Sequence, residues 1–282
     1  MSGRANARGR RRGPRRLNLR KTLFVLPNLV TLASVFCGFN AVLLVAQDNP
    51  STDDFYRAAI LLMFAMLFDL LDGRLARMSG TESAFGLQLD SLADIVSFGV
   101  APSVLVYKWV LFRYGLVGMG AAFLFTAAGA VRLARFNVLN SSSRGAPVHP
   151  GKYIVGLPIP PAAGVLISLL LANHAVDGAL ADERYTSAIL AVTVLLSLFM
   201  VSAIRFRSFK DLKFNATAGL LVLFAIGSSL LVWQYTEPQF VLLWLLAVYL
   251  FIGVFEGLQR FLLSRVRREQ SPSSIPTRAH GE

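Results

Sequence analysis

Residues 69–94 read DLLDGRLARMSGTESAFGLQLDSLAD. The stretch sets four aspartates, Asp69, Asp72, Asp90 and Asp94, at the edges of two apolar segments. A carboxylate near hydrocarbon is costly unless it is paired, neutralised or bound to metal. Asp69 and Asp72 stand at i and i+3, and Asp90 and Asp94 at i and i+4, so each pair projects from one face of a helix. The segment between the pairs contains Gly and Ser and is short enough to return the chain. The spacing therefore predicts a helical hairpin whose two acidic faces meet.

Four unprotonated carboxylates a few ångströms apart repel one another and remain ionised only with cations among them. An all-oxygen donor set with no His or Cys nearby suits hard Mg2+ or Mn2+ rather than zinc. Two such ions, about 3.5 to 4 Å apart, form the clamp used for displacement at phosphorus. Neighbouring residues point to phosphate as well. Gly73 and Ala76 leave one helix surface bare for a large ligand, Gly86 does the same for the returning segment, and Arg77 can reach a phosphate oxygen. Two other readings stand beside this one: a structural ion-pair cluster using Arg74 and Arg77, and a cation-transport site.

The whole chain calls for a bilayer. Of its 282 residues 55% are hydrophobic and only 16% charged, with mean hydropathy +0.57, whereas a soluble domain carries nearer a quarter charged residues. A helical span needs about 20 apolar residues. Eight windows qualify: 23–46, 56–72, 90–112, 115–139, 155–175, 186–203, 214–234 and 239–262. The expected fold is an all-α, polytopic membrane bundle with three parts: a basic tail over 1–22, a transmembrane catalytic domain over 23–262, and a polar, disordered tail over 263–282. Cys37 is the lone cysteine, which excludes an intrachain disulfide framework and a multi-cysteine metal site. It reads as a packed helix residue. Trp109, Tyr153 and Trp233 read as interface anchors, and His149, His174 and His280 as ordinary loop residues.

The net charge of +12 sorts by side of the membrane. With eight spans, all 28 Lys and Arg except Arg57, Lys108, Arg113 and Arg184 fall with the two termini or in loops after even-numbered spans. The opposite loops, QDNPSTDD and VDGALADER, are acidic. Both termini and the aspartate end are therefore expected on the cytoplasmic side of a membrane, the inner membrane of a bacterium. The tail RANARGRRRGPRRLNLRK reads as a topology determinant that also attracts anionic headgroups. Nucleic acid is not an expected partner, because the basic residues border apolar spans and leave no separate reading module.

Written as a pattern, residues 69–94 are D-x2-D-G-x2-A-R-x8-G-x3-D-x3-D, which resembles without departure the signature of the CDP-alcohol phosphatidyltransferases. Within that family the chain is most similar to the integral-membrane phosphatidylserine synthases. LPNLVTLASVFCGFNA, SFGVAPS, VRLARFNV, GLPIPPAAG and RFRSFK carry this further likeness, which extends over about residues 22 to 262.

The resemblance implies transfer of the phosphatidyl group from CDP-diacylglycerol to L-serine, giving phosphatidylserine and CMP, with a divalent metal and a homodimer. It makes Asp69, Asp72 and Asp90 metal ligands, and Asp94 a ligand and the general base. Gly73, Arg77 and Ser83 match positions that contact the CDP-diphosphate, with Asn28 and Thr31 closing over the nucleotide. Serine needs a cation for its carboxylate and an acceptor for its ammonium. Arg132, Arg135, Asn137 and Lys152 lie on the aspartate side, where they read equally as positive-inside anchors.

Three alternatives remain at this point. One is a family member using glycerol 3-phosphate or an inositol compound. A cation-coupled transporter would distribute its acids over separate helices in two repeated halves, and no such repeat is visible. A UbiA-type prenyltransferase would carry two aspartate motifs on distant helices rather than a single hairpin.

Overall fold

The structure is a computed structural model, and it describes residues 19–80, 83–141, 153–202, 205–207, 227–229 and 231–253. Helix α1 covers Leu19–Val45, α2 Thr52–Ser79 and α3 Ala84–Asp94. A π-helical turn, Ile95–Val100, joins α3 without a break to α4, Ala101–Trp109. Helix α5 runs over Gly115–Ser141, α6 over Ile159–Ala175 and α7 over Glu183–Val201. A further apolar helix, α8, covers Gln239–Gly253. Four stretches are long and apolar enough to cross a membrane: Val25–Val45, Ala84–Trp109, Leu111–Val138 and Glu183–Val201. With the shorter apolar α6 and α8, they mark an integral membrane protein. The expected window 214–234 lies largely outside the described residues, as do the tails at 1–18 and 254–282.

The hairpin expected from the aspartate spacing is present, and local sequence explains both of its ends. Helix α2 starts at a capping box, where the Ser51 hydroxyl accepts from Asp54 N–H and the Asp54 carboxylate accepts from Ser51 N–H. It ends at Gly80, whose φ of +61° is a left-handed conformation that favours glycine. Ser83 then caps α3, its hydroxyl oxygen accepting from Gly86 N–H at 2.9 Å. This cap starts the third span at Ala84 rather than 90, so the whole returning segment is helical.

Small residues let the helices close on one another. Ala41 of α1 and Ala58, Ala59 and Ala65 of α2 are fully buried, and α1 packs along α2. Cys37 is buried in the same layer, as expected. Phe98, Leu105, Phe125, Leu166 and Leu170 fill the centre.

Other expectations need correction. The fifth span begins at Ile159 rather than 155, because Tyr153–Val155 pairs antiparallel with Arg205–Arg207 as a two-stranded ribbon, β1 and β2. Gly156, at φ +79°, turns the chain out of the strand, and Pro158 starts the helix. The ribbon is the one departure from all-helical structure among the described residues. Trp109 is not an interface anchor: only 5% of it is exposed, because it closes the end of α4 against the core.

The opposite end of α2 carries its own fastening. His174, at the end of α6, stacks on Tyr56 with ring centroids 4.1 Å apart, and its Nδ1 lies 3.7 Å from the Asp53 carboxylate. His174 is therefore a helix-packing residue rather than an ordinary loop histidine.

Candidate active site

The last turns of α2 and the body of α3 bring the acidic faces together. Carboxylate oxygens of Asp69, Asp72 and Asp90 lie within 4.8 Å of one another. Asp94, one turn beyond Asp90, comes within hydrogen-bonding range of Asp69 and faces Arg132 of α5. Asp72 is 4% exposed, so one member of the group is buried outright.

What would neutralise this charge decides what the cluster can do. Among the described residues the close contacts between basic and acidic side chains are His174–Asp53 and Arg184–Asp182, and neither involves the four aspartates. Arg74 and Arg77 are exposed and not ion-paired with them, which removes the structural ion-pair reading. Asp72 Oδ2 and Asp94 Oδ1 are buried with no hydrogen-bond partner among the described residues. Orphaned carboxylate oxygens in an all-oxygen group fit a hard divalent cation, which would supply the missing bonds.

Beside the cluster opens a cavity of about 430 Å³. Asp72 and Asp90 form part of its wall, and so do all seven residues singled out for the nucleotide: Asn28, Thr31, Gly73, Ala76, Arg77, Ser83 and Gly86. Each sits there for a local reason. Asn28 and Thr31 lie one turn apart on α1, where the Thr31 hydroxyl donates to Pro27 O at 3.0 Å. A side chain at Gly73 would come within 4.0 Å of both terminal nitrogens of Arg77, so the glycine leaves the guanidinium room beside the cavity. A Cβ at Gly86 would stand 3.1 Å from Ser83 Oγ and 3.5 Å from Asn28 Oδ1, at the seam where α3 meets α1. Ser83 accepts with its oxygen as the helix cap, which leaves its proton free to donate into the cavity.

Pro27, Ala84 and Leu87 also line the cavity, and sequence reasoning passed over them. The signal for two of them was present: Ala84 and Leu87 precede Asp90 and Asp94 at helical spacing on one face.

The residues proposed for serine separate. Arg132 stands beside Asp94 with its Nε buried and without a hydrogen-bond partner among the described residues. Arg135 is exposed. Asn137 donates its side-chain amide to Ser91 Oγ at 3.0 Å, between the two aspartates of α3. Lys152 lies outside the described residues.

Comparison with known proteins agrees with this geometry. The family model for CDP-alcohol phosphatidyltransferase matches residues 24–199. The chain is 37% identical over 247 residues to a CDP-diacylglycerol--serine O-phosphatidyltransferase of Helicobacter pylori, covering 86% of this chain and 94% of that one. A protein of the same name from Methanocaldococcus jannaschii is 30% identical over 83% of this chain and 94% of its own. An archaetidylserine synthase of Methanothermobacter thermautotrophicus is 35% identical over 66% of this chain and 70% of its own.

Proposed function

The chain belongs to the CDP-alcohol phosphatidyltransferase family, and on that footing we propose that it transfers the phosphatidyl group of CDP-diacylglycerol to the hydroxyl of L-serine, giving phosphatidylserine and CMP. The observation that carries the reading is the meeting of Asp69, Asp72 and Asp90, the last two of which line a cavity together with Asn28, Thr31, Arg77 and Ser83. Serine appears in the names of all three relatives above, which supports it as the acceptor.

The four aspartates would hold two Mg2+ or Mn2+ ions, which when bound neutralise the pyrophosphate and the departing CMP. The protein's own groups do the rest. Asn28 and Thr31 close over the nucleotide from α1. Arg77 and the Ser83 hydroxyl donate to phosphate oxygens, and Gly73, Ala76 and Gly86 let the diphosphate approach the helix backbones. Asp94 takes the proton of the serine hydroxyl as that oxygen bonds to the phosphorus bearing diacylglycerol and the bond from that phosphorus to the CMP oxygen breaks. A single displacement inverts configuration at phosphorus. Arg132, beside Asp94, supplies the cation that serine's carboxylate requires, with Arg135 and Lys152 as outer cationic candidates, while Asn137 is engaged with Ser91 of α3.

The cytoplasmic side of a bacterial inner membrane follows for the aspartate end from the charge distribution, together with contact between the basic tail and anionic lipid. A homodimer follows from the family resemblance. The test is incorporation of radiolabelled serine into chloroform-soluble lipid by membranes holding the protein, with and without CDP-diacylglycerol and Mn2+. Glycerol 3-phosphate and inositol serve as rival acceptors. CMP release that proceeds equally without serine would reject serine as the acceptor.

A further inference from the structure

Directly after Asp94 the helix that carries it changes its winding. Ile95–Val100 is a π-helical turn, in which Ala101 N–H donates to Val96 O, five residues back. In an unbroken α-helix Asp94 would share one stripe with Phe98, Ala101 and Leu105, at steps of four, three and four. Those three residues are fully buried in the apolar core. The wider turn swings Asp94 off that stripe by roughly a quarter-turn. The apolar stripe stays in the core while the carboxyl faces Asp69 and Arg132.

Hydroxyl groups hold this winding from two sides. Ser97 Oγ donates to Ser34 O of α1 at 3.1 Å, and Ser34 Oγ donates to Ala65 O of α2 at 3.1 Å. Gly38 allows the approach, since a Cβ there would stand 2.9 Å from Ser97 Cα. From α5, Thr126 Oγ1 donates to Gly99 O at 3.1 Å. Ser103 Oγ donates to Val100 O at 2.8 Å and lies 2.8 Å from Thr126 Oγ1. The turn is thereby tied to α1, which carries Asn28 and Thr31, and to α5, which carries Arg132.

We propose that the π turn Ile95–Val100 is the element that aims the general base, with Ser97 and Thr126 as its positioning residues. The inference rests on the reaction proposed above, in which Asp94 takes the acceptor's proton. Displacing a base by about 1 Å costs on the order of 100-fold in rate, whereas the nucleotide wall, on α1, α2 and α3 as far as Asp90, lies ahead of the turn.

The experiment compares full-length wild type, Ser97→Ala/Thr126→Val, Ser97→Ala/Thr126→Ser and a deletion of Val96 in lipid nanodiscs with Mn2+. It reads kcat, KM for each substrate, CDP-diacylglycerol affinity and thermal unfolding. The Ala/Val variant is expected to lose about 100-fold in kcat with CDP-diacylglycerol affinity within about threefold of wild type, a span of under 1 kcal/mol. Restoring the hydroxyl with Thr126→Ser is expected to recover most of the rate. Deletion of Val96, which returns the helix to α winding, should abolish turnover. If that variant does not fold, the two point variants decide alone. Wild-type kcat in the Ala/Val variant, an equal loss of rate and nucleotide affinity, or no recovery with Thr126→Ser overturns the proposal. The wild-type control separates the two readings: CMP release without serine dependence faults the acceptor, and the same comparison is then read with the alcohol that wild type uses.

Discussion

Asn137 of α5 donates its side-chain amide to the Ser91 hydroxyl of α3 at 3.0 Å, fastening the two helices between Asp90 and Asp94. A residue so engaged acts on the reaction through the helix it holds. Asn137→Ala should therefore lower kcat several-fold while leaving KM for serine unchanged. A selective rise in KM for serine, with kcat intact, would instead place Asn137 in the acceptor pocket.

Asp94→Asn removes the proton acceptor but leaves Asp69, Asp72 and Asp90 facing one another. General-base catalysis contributes on the order of 100- to 10,000-fold, and turnover should fall by that factor. CDP-diacylglycerol binding in Mn2+ should survive. Near wild-type turnover rejects Asp94 as the base.

Asp72→Asn replaces a 4%-exposed carboxylate whose Oδ2 has no hydrogen-bond partner among the described residues. Manganese affinity, counted by electron paramagnetic resonance, should drop at least tenfold, and activity should fall with it. Chelation of wild-type protein should abolish activity and recover fully on adding Mn2+. Unchanged manganese binding in Asp72→Asn removes it from the ligand set.

Gly86→Val fills the seam between α3 and α1, where even a Cβ would stand 3.1 Å from Ser83 Oγ and 3.5 Å from Asn28 Oδ1. Affinity for CDP-diacylglycerol should fall more than tenfold, with manganese affinity retained. A direct binding measurement showing wild-type nucleotide affinity contradicts the placement of the nucleotide in this cavity.

At the far end of α2, Tyr56→Leu breaks the stack on His174. Aromatic pairs of this kind are worth about 1 kcal/mol beyond their buried area. The midpoint of thermal unfolding should drop by a few degrees while KM for both substrates stays at the wild-type value. A shifted KM would mean that this end communicates with the aspartates.

The acidic faces could be read from sequence because their three- and four-residue steps match the helix period, and because carboxylates near hydrocarbon demand an explanation. The wall of the cavity was legible for the same reason: Gly73, Ala76, Arg77 and Gly86 share helical faces with the aspartates. The π turn was not. Gly99 in IVSFGV weakens a helix without specifying a π turn, and the winding depends on the Ser34 carbonyl and the Thr126 hydroxyl, distant in sequence. The ribbon at Tyr153–Val155 escaped because its partner strand begins fifty residues later, at Arg205. Trp109 was misread because an aromatic near the end of an apolar window has the same local signature at a lipid interface as in a core.

The twelve residues that line the cavity all fall between Pro27 and Asp90. Synthesis therefore delivers the nucleotide wall and the whole aspartate group before α5 with its Arg132 has been made. An arrested nascent chain that has passed Trp109 already carries everything proposed to hold the donor lipid, and it lacks the cation proposed to receive the acceptor. Assembly order thus runs parallel to reaction order, with the part that handles the nucleotide inserted first and the part that admits the alcohol closing on it afterwards.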